Sequence, residues 1–212
     1  MMMRRSAVLI AMLASAFVTG AAYADPGHLG GLGADLFGDS FFHFTAQNLK
    51  SFPISSIRAG RVRINLQHTR LTELQHVYGG TIYEQGEGMG AAHWLCYAAP
   101  GSTTWFMSNL EGGNEFVMMV ATAAGGPDGS CDVAPAGFTP PELGIPGLGA
   151  SLDDLRAHFG SATVGSHSDV SYRVDRPARD GLGTADDAQY VGYVVRGNQV
   201  VGVGAGETTA AH

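Results

Sequence analysis

Two Gly-Asn pairs, Gly113-Asn114 and Gly197-Asn198, each stand between apolar runs, and they constrain this chain more than any other feature. Both residues tolerate positive φ, so the pair favours the tight turn of a β-hairpin. The first pair closes Glu111-Gly112-Gly113-Asn114, between the runs Thr103–Leu110 and Glu115–Ala124. A third run, His93–Ala99, precedes them across Pro100-Gly101-Ser102. The second pair joins Gln189–Arg196 to Gln199–Ala205, with a further strand expected at Asp169–Asp175. Each set reads as a three-stranded meander, a unit that is stable only when something covers a face.

A short helix is expected ahead of each meander. Thr69 is placed to cap a helix from Arg70 to Tyr78, with Leu71, Leu74 and Tyr78 on one face and Gly79-Gly80 as its stop. Ser151 is placed to cap a second, from Leu152 to Phe159, with Asp154 completing a capping box and Gly160 ending it. Leu152, Leu155 and Phe159 match Leu71, Leu74 and Tyr78 in spacing and character. The expected fold is therefore α+β: two tandem units, each a short helix packed on a three- to four-stranded antiparallel sheet. The units occupy 57–124 and 147–212, joined by a proline- and glycine-rich linker over 125–146. A glycine-rich segment over 25–56 precedes them, its first part expected to be mobile. At the start of the first unit, Ile57–Asn65 alternates apolar and basic residues and reads as one half-exposed strand carrying Arg58, Arg61 and Arg63.

The string Gly149-Ala-Ser-Leu-Asp-Asp-Leu-Arg-Ala-His-Phe-Gly160 resembles the G-M-[ST]-x-x-[DE]-V-x-x-x-[LF]-G helix of the superfamily of beta-lactamase inhibitory protein and small outer-membrane assembly lipoproteins. The resemblance implies a helix ahead of a three- or four-stranded antiparallel sheet, arranged in tandem in the inhibitory protein, with partners bound on the open sheet face. The first unit departs from the motif, with His68-Thr69-Arg70 in place of the Gly-x-Ser start.

The chain begins with a basic stretch, Arg4-Arg5, followed by an apolar run from Ala7 to Val18 and small residues at Ala22 and Ala24. This order predicts a signal peptide over 1–24, cleaved after Ala24, and a periplasmic or secreted protein. The apolar run is too short to span a bilayer. The whole chain carries a net charge of −7, with 12 basic and 19 acidic residues. Loss of Arg4 and Arg5 with the leader deepens that to −9. Nucleic acid and anionic membrane surfaces both repel such a chain, so neither is an expected partner. In an oxidising compartment the two cysteines, Cys96 and Cys131, are expected to pair.

Catalytic and metal-binding readings find little to build on. Leu36-Phe37-Gly38-Asp39-Ser40 looks like the first block of GDS(L)-type esterases, with Ser40 as nucleophile, and Gly112-Gly113-Asn114-Glu115 is faintly like their oxyanion block. That chemistry needs a histidine held by an aspartate three residues earlier. Among the histidines that follow Ser40, none has one: Leu155, Val164 and Thr209 precede His158, His167 and His212. His68, His76 and His93, with Glu73, lack the close spacing of a metal site. Asp175, Asp180, Asp186 and Asp187 miss the calcium-loop pattern. Gly31-Leu-Gly33, Gly147-Leu-Gly149 and Gly202-Val-Gly204 miss the nucleotide fingerprint. No catalytic residue, metal or cofactor is assigned.

The first meander is unusual because both of its faces are apolar, although one helix covers only one of them. It holds both tryptophans and three of the eight methionines. Parity along the strands assigns Trp94, Trp105, Met107, Val117 and Met119 to a binding face. Its cover is the other unit, a second copy in a homodimer, or an external envelope or secreted protein. The expected function is an exported, non-catalytic protein-binding or inhibitor-like module of the bacterial cell envelope. The alternative is a small secreted serine esterase using Ser40.

Overall fold

A computed structural model describes residues 28–37, 48–126, 131–160, 163–164, 169–177 and 185–211. The expected leader, Ser40 and Asp180 lie outside the described residues. The chain is α+β, and both Gly-Asn pairs turn as their chemistry requires. Gly197 and Asn198 have φ of 57° and 67°, and they close a two-residue hairpin with Arg196 opposite Gln199. Gly113 and Asn114 have φ of 61° and 59°. In chain order the elements are α1 (Gly31–Phe37), β1 (Ile57–Ala59), β2 (Val62–Ile64), α2 (Leu71–Tyr78), β3 (Tyr83–Gln85), β4 (Ala92–Ala99), β5 (Ser102–Asn109), β6 (Met119–Ala124), β7 (Asp132–Val133), α3 (Leu152–Phe159), β8 (Thr163–Val164), β9 (Asp169–Pro177), β10 (Ala185–Arg196) and β11 (Gln199–Ala211).

The meanders do not form separate sheets. Strands run β3-β4-β5-β6-β11-β10-β9-β8 in one nine-stranded sheet, with β7 pairing β4 in parallel. The join is antiparallel between the last strands of the two meanders, from Gly202 opposite Ala123 to Gly206 opposite Met119. Both longer helices lie on the same face, where Leu71, Leu74 and Leu155 enter one core with Leu95, Tyr97, Phe106, Val120, Tyr172, Val191, Tyr193 and Val203. Among the described residues no helix is long and apolar enough to cross a membrane.

The two helix starts are built differently. Ser151 makes the expected capping box: its Oγ accepts from the Asp154 N–H at 3.1 Å, and the Ser151 N–H donates to Asp154 Oδ2 at 2.7 Å. These bonds hold the Asp154 carboxyl below its usual pKa. A depressed carboxylate pKa stabilises the fold above the unfolded value and loses that contribution as pH falls through the folded one. Ser151→Ala removes the N-cap acceptor and should cost about 1 kcal/mol at neutral pH, the usual cost of losing such a cap. Thermal melts should show its deficit shrinking as pH falls below the ordinary carboxylate range toward the lowered pKa of folded Asp154. Thr69 does not cap α2, because its Oγ1 accepts the Asn65 N–H at 2.9 Å. The Leu71 N–H instead donates to the Glu115 carbonyl at 2.8 Å, which ties α2 to the adjacent hairpin. Bridges Arg70–Phe116 and Ser151–Gln199 place both helix starts against the Gly-Asn turns.

Three segments differ from expectation. Ile57–Asn65 is a ribbon of two strands, not one, because Gly60 takes φ of 55° and reverses the chain, setting Ile57 opposite Ile64. Arg58 then faces Arg63 across the ribbon, and Ile57, Ala59 and Ile64 point into the core. The proline- and glycine-rich 125–146 stretch is packed against the body over its described part. Phe138 lies against Tyr97 and Tyr78, Leu143 is buried, and Glu142 bridges Arg58. Last, residues 31–37 of the segment expected to be mobile form α1, on the face opposite α2 and α3.

Candidate functional site

The sheet face beneath α1 descends in cross-strand rows from large side chains to none. One row runs Tyr83, Trp94, Met107, Met119, Gly206, and the next runs Cys96, Trp105, Ala121, Gly204. Alternation along β11 puts Gly202, Gly204 and Gly206 on this face, with Val203 and Ala205 in the opposite core. The result is a step: an aromatic and methionine ridge on β4 and β5 above a glycine floor on β11. Leu36 and Phe37 of α1 join the cluster that Trp94, Trp105, Met107, Met119, Ala121 and Val194 form. A Cβ added at Gly202 would stand 3.3 Å from Leu36 Cδ1, so the floor is shaped around that leucine. A Cβ at Gly33 would stand 2.9 Å from Trp105 Cε2, so α1 crosses the indole where it has no side chain. The Phe37 ring meets Trp105 edge-on, with centroids 6.4 Å apart.

Four of the five residues assigned to a binding face are therefore together here. Trp94, Trp105, Met107 and Met119 are 1%, 3%, 5% and 0% exposed. Val117 is not with them. Chain between Phe116 and Met119 leaves the strand, with the Val117 N–H donating to the Thr69 carbonyl, and the side chain turns into the helix-side core. Sequence reasoning missed α1 and the glycine floor. The Leu36-Phe37 pair and the alternate glycines of β11 were their signals.

Beyond the apolar contacts of Leu36 and Phe37, α1 has few polar ties to the body among the described residues. The Leu29 N–H just before it donates to Gln85 Oε1 at 2.9 Å. Asp35 lies 3.8 Å from Arg196, with both side chains more than half exposed. A cleft of about 250 Å³ remains beside the helix, with Leu32, Asp35, Trp105, Ala123 and Arg196 on its walls. On the other face, a cleft of about 360 Å³ lies between Pro140–Leu148 and the floor residues Thr122 and Val203. Neither cleft sets a nucleophile beside a histidine. Among the described residues no three His, Cys, Asp or Glu side chains converge, so His68, His76, His93 and Glu73 do not meet as a set.

Polar groups on the helix side tie the halves of the sheet together. Gln189, 3% exposed, accepts the Ile54 N–H at 2.8 Å and donates to Glu207 Oε2 at 2.9 Å. Gln67, at φ of 63°, donates to Glu207 Oε1 at 3.2 Å, and the Thr209 hydroxyl donates to Asp187 Oδ1 at 2.7 Å. Gln189→Leu would orphan the Ile54 N–H and one glutamate oxygen, and should cost about 1–3 kcal/mol in urea melts. Two tyrosine sites differ between the halves. Burial pushes the Tyr97 and Tyr193 phenols well above their usual pKa. The Tyr97 hydroxyl donates to the Gly79 carbonyl at 2.6 Å, whereas those of Tyr172 and Tyr193 have no hydrogen-bond partner among the described residues.

The Cys96–Cys131 disulfide is formed, with Cα atoms 4.7 Å apart. It fastens β7 beside β4 and fits a chain that folds in an oxidising compartment. Comparison with protein-family models, curated proteins and solved structures returns no match.

Proposed function

We propose that this is an exported, non-catalytic protein-binding module of the bacterial cell envelope, inhibitor-like in design, acting through the stepped aromatic and methionine face. It is built from two tandem helix-plus-meander units, α2 with β3–β6 and α3 with β8–β11, placed tail to tail about the β6–β11 join. The observation that carries the reading is the stepped face itself: a continuous antiparallel sheet has its two longer helices on one side, and the described cover on the other is the seven-residue α1. Aromatic side chains bury large areas with few rotatable bonds to order, methionine adapts its shape to irregular surfaces, and both are enriched at protein interfaces. The placement of the helix starts supports the two-unit reading, since each, though capped differently, is bridged to its own Gly-Asn hairpin.

The test has two arms. Leaderless protein coupled to a resin should retain one envelope protein that excess soluble chain releases, and it should leave a generic ester substrate unhydrolysed. Ester turnover abolished by Ser40→Ala would replace the binding module with a serine esterase.

A further inference from the structure

We infer that the stepped face is a docking groove for a short apolar helix of another protein, and that α1 fills it in cis. This rests on the binding-module reading above and names the kind of partner. The groove already holds a helix, so its requirements can be read from the occupant. Position 33 must be small where it crosses Trp105, and Leu36 and Phe37 fill the glycine floor and meet the indole. Asp35, between them, faces Arg196 at the groove's end. A partner helix of the form small-x-Asp-Leu-Phe would meet each demand.

The resident helix is a poor competitor for so apolar a surface. It has seven residues, two of them glycine, with no acidic residue in its first turn and no basic residue in its last. Helices this short do not persist alone, and glycine is among the weakest helix formers. Among the described residues its ion pair to the sheet, Asp35–Arg196, is exposed, and a cleft lies beside it with Trp105 on one wall. Tethering gives α1 a high effective concentration, so an identical α1 from a second copy gains nothing over it. A foreign helix with stronger helix formers at the positions facing away from the groove does gain.

Full-length chain carrying Gly33→Val is the decisive reagent, because the added side chain strikes Trp105. Tryptophan fluorescence should become accessible to acrylamide while the far-ultraviolet spectrum of the sheet is kept. A fluorescein-labelled peptide of residues 28–37 should bind this variant saturably and at least ~10-fold more tightly than the parent, whose groove is occupied. The same peptide with Phe37→Ala should bind at least ~10-fold more weakly. Absence of saturable binding to a folded variant with accessible tryptophan would remove the groove. If Gly33→Val does not fold, hydrogen exchange of the parent decides the matter. Amides of α1 should exchange at least ~100-fold faster than those of β5 and β6, and equal rates would sink the inference. A dimer in which one copy's α1 shields the other's tryptophans would overturn the foreign-partner assignment in favour of self-exchange. An envelope protein retained by the resin but not displaced by the peptide would remove the groove and leave the binding-module reading standing.

Discussion

Phe106→Ala is expected to lower the free energy of unfolding by about 3–5 kcal/mol, the usual cost of truncating a buried large aromatic. Phe106 is fully buried on a central strand, paired with Leu95 on one side and Val120 on the other, with its ring edge-on to Tyr97 at 6.2 Å. Its neighbours Leu95 and Val120 are held by strand pairing, and the helix carrying Leu71 and Leu74 is tied to the hairpin at its start, so the void closes poorly. Urea unfolding should show a lower midpoint at an unchanged slope, because the exposed area is the same. Trp105→Ala, one residue earlier and on the opposite face, should cost less despite removing more atoms. Its indole is covered by α1, which can shift into the space, whereas α2 and α3 are anchored at their starts.

Loss of the disulfide is expected to have a comparable effect by another route. Cys131→Ser opens a closure of 35 residues, which constrains the unfolded chain by about 3–4 kcal/mol in the chain-entropy model. It also frees β7, whose Asp132 accepts the Thr81 N–H at 2.6 Å and whose neighbour Ala134 donates to the Ala98 carbonyl. Thermal melts of the oxidised parent and the variant should differ accordingly, and mass measurement of the parent should find two hydrogens fewer than the dithiol. A parent that melts alike with and without reductant would contradict this.

What could be read from the sequence was local. The Ser151 capping box, the Gly197-Asn198 turn and the strand at Asp169–Asp175 each depend on residues within a few positions of one another, and all three appear in the structure. The β1–β2 ribbon was missed because Gly60-Arg61 interrupts the alternation without an obvious break. Parity misplaces Val117 because it holds only while a strand is regular, and the chain leaves the strand at Val117. The cover over Trp105 was missed for a deeper reason. α1 packs on β6, β10 and β11, strands far along the chain, and only the pairing of Gly202 with Ala123 brings that floor beside the tryptophan ridge. Tertiary placement of this kind leaves no periodic mark on a seven-residue stretch.

The β6–β11 join also sets the order in which this molecule can be completed. Each meander closes through hairpins between neighbours, which form quickly, but the join pairs Thr122 with Val203 and must wait for almost the whole chain. A polypeptide emerging from its N-terminus would complete β4, β5 and β6 while β6 still lacks its partner. An unpaired strand of Met-Val-Ala-Thr-Ala-Ala is a template for pairing with another chain. The hazard in making this protein is thus concentrated in the interval before β11 arrives, and chains truncated after Ala124 should aggregate.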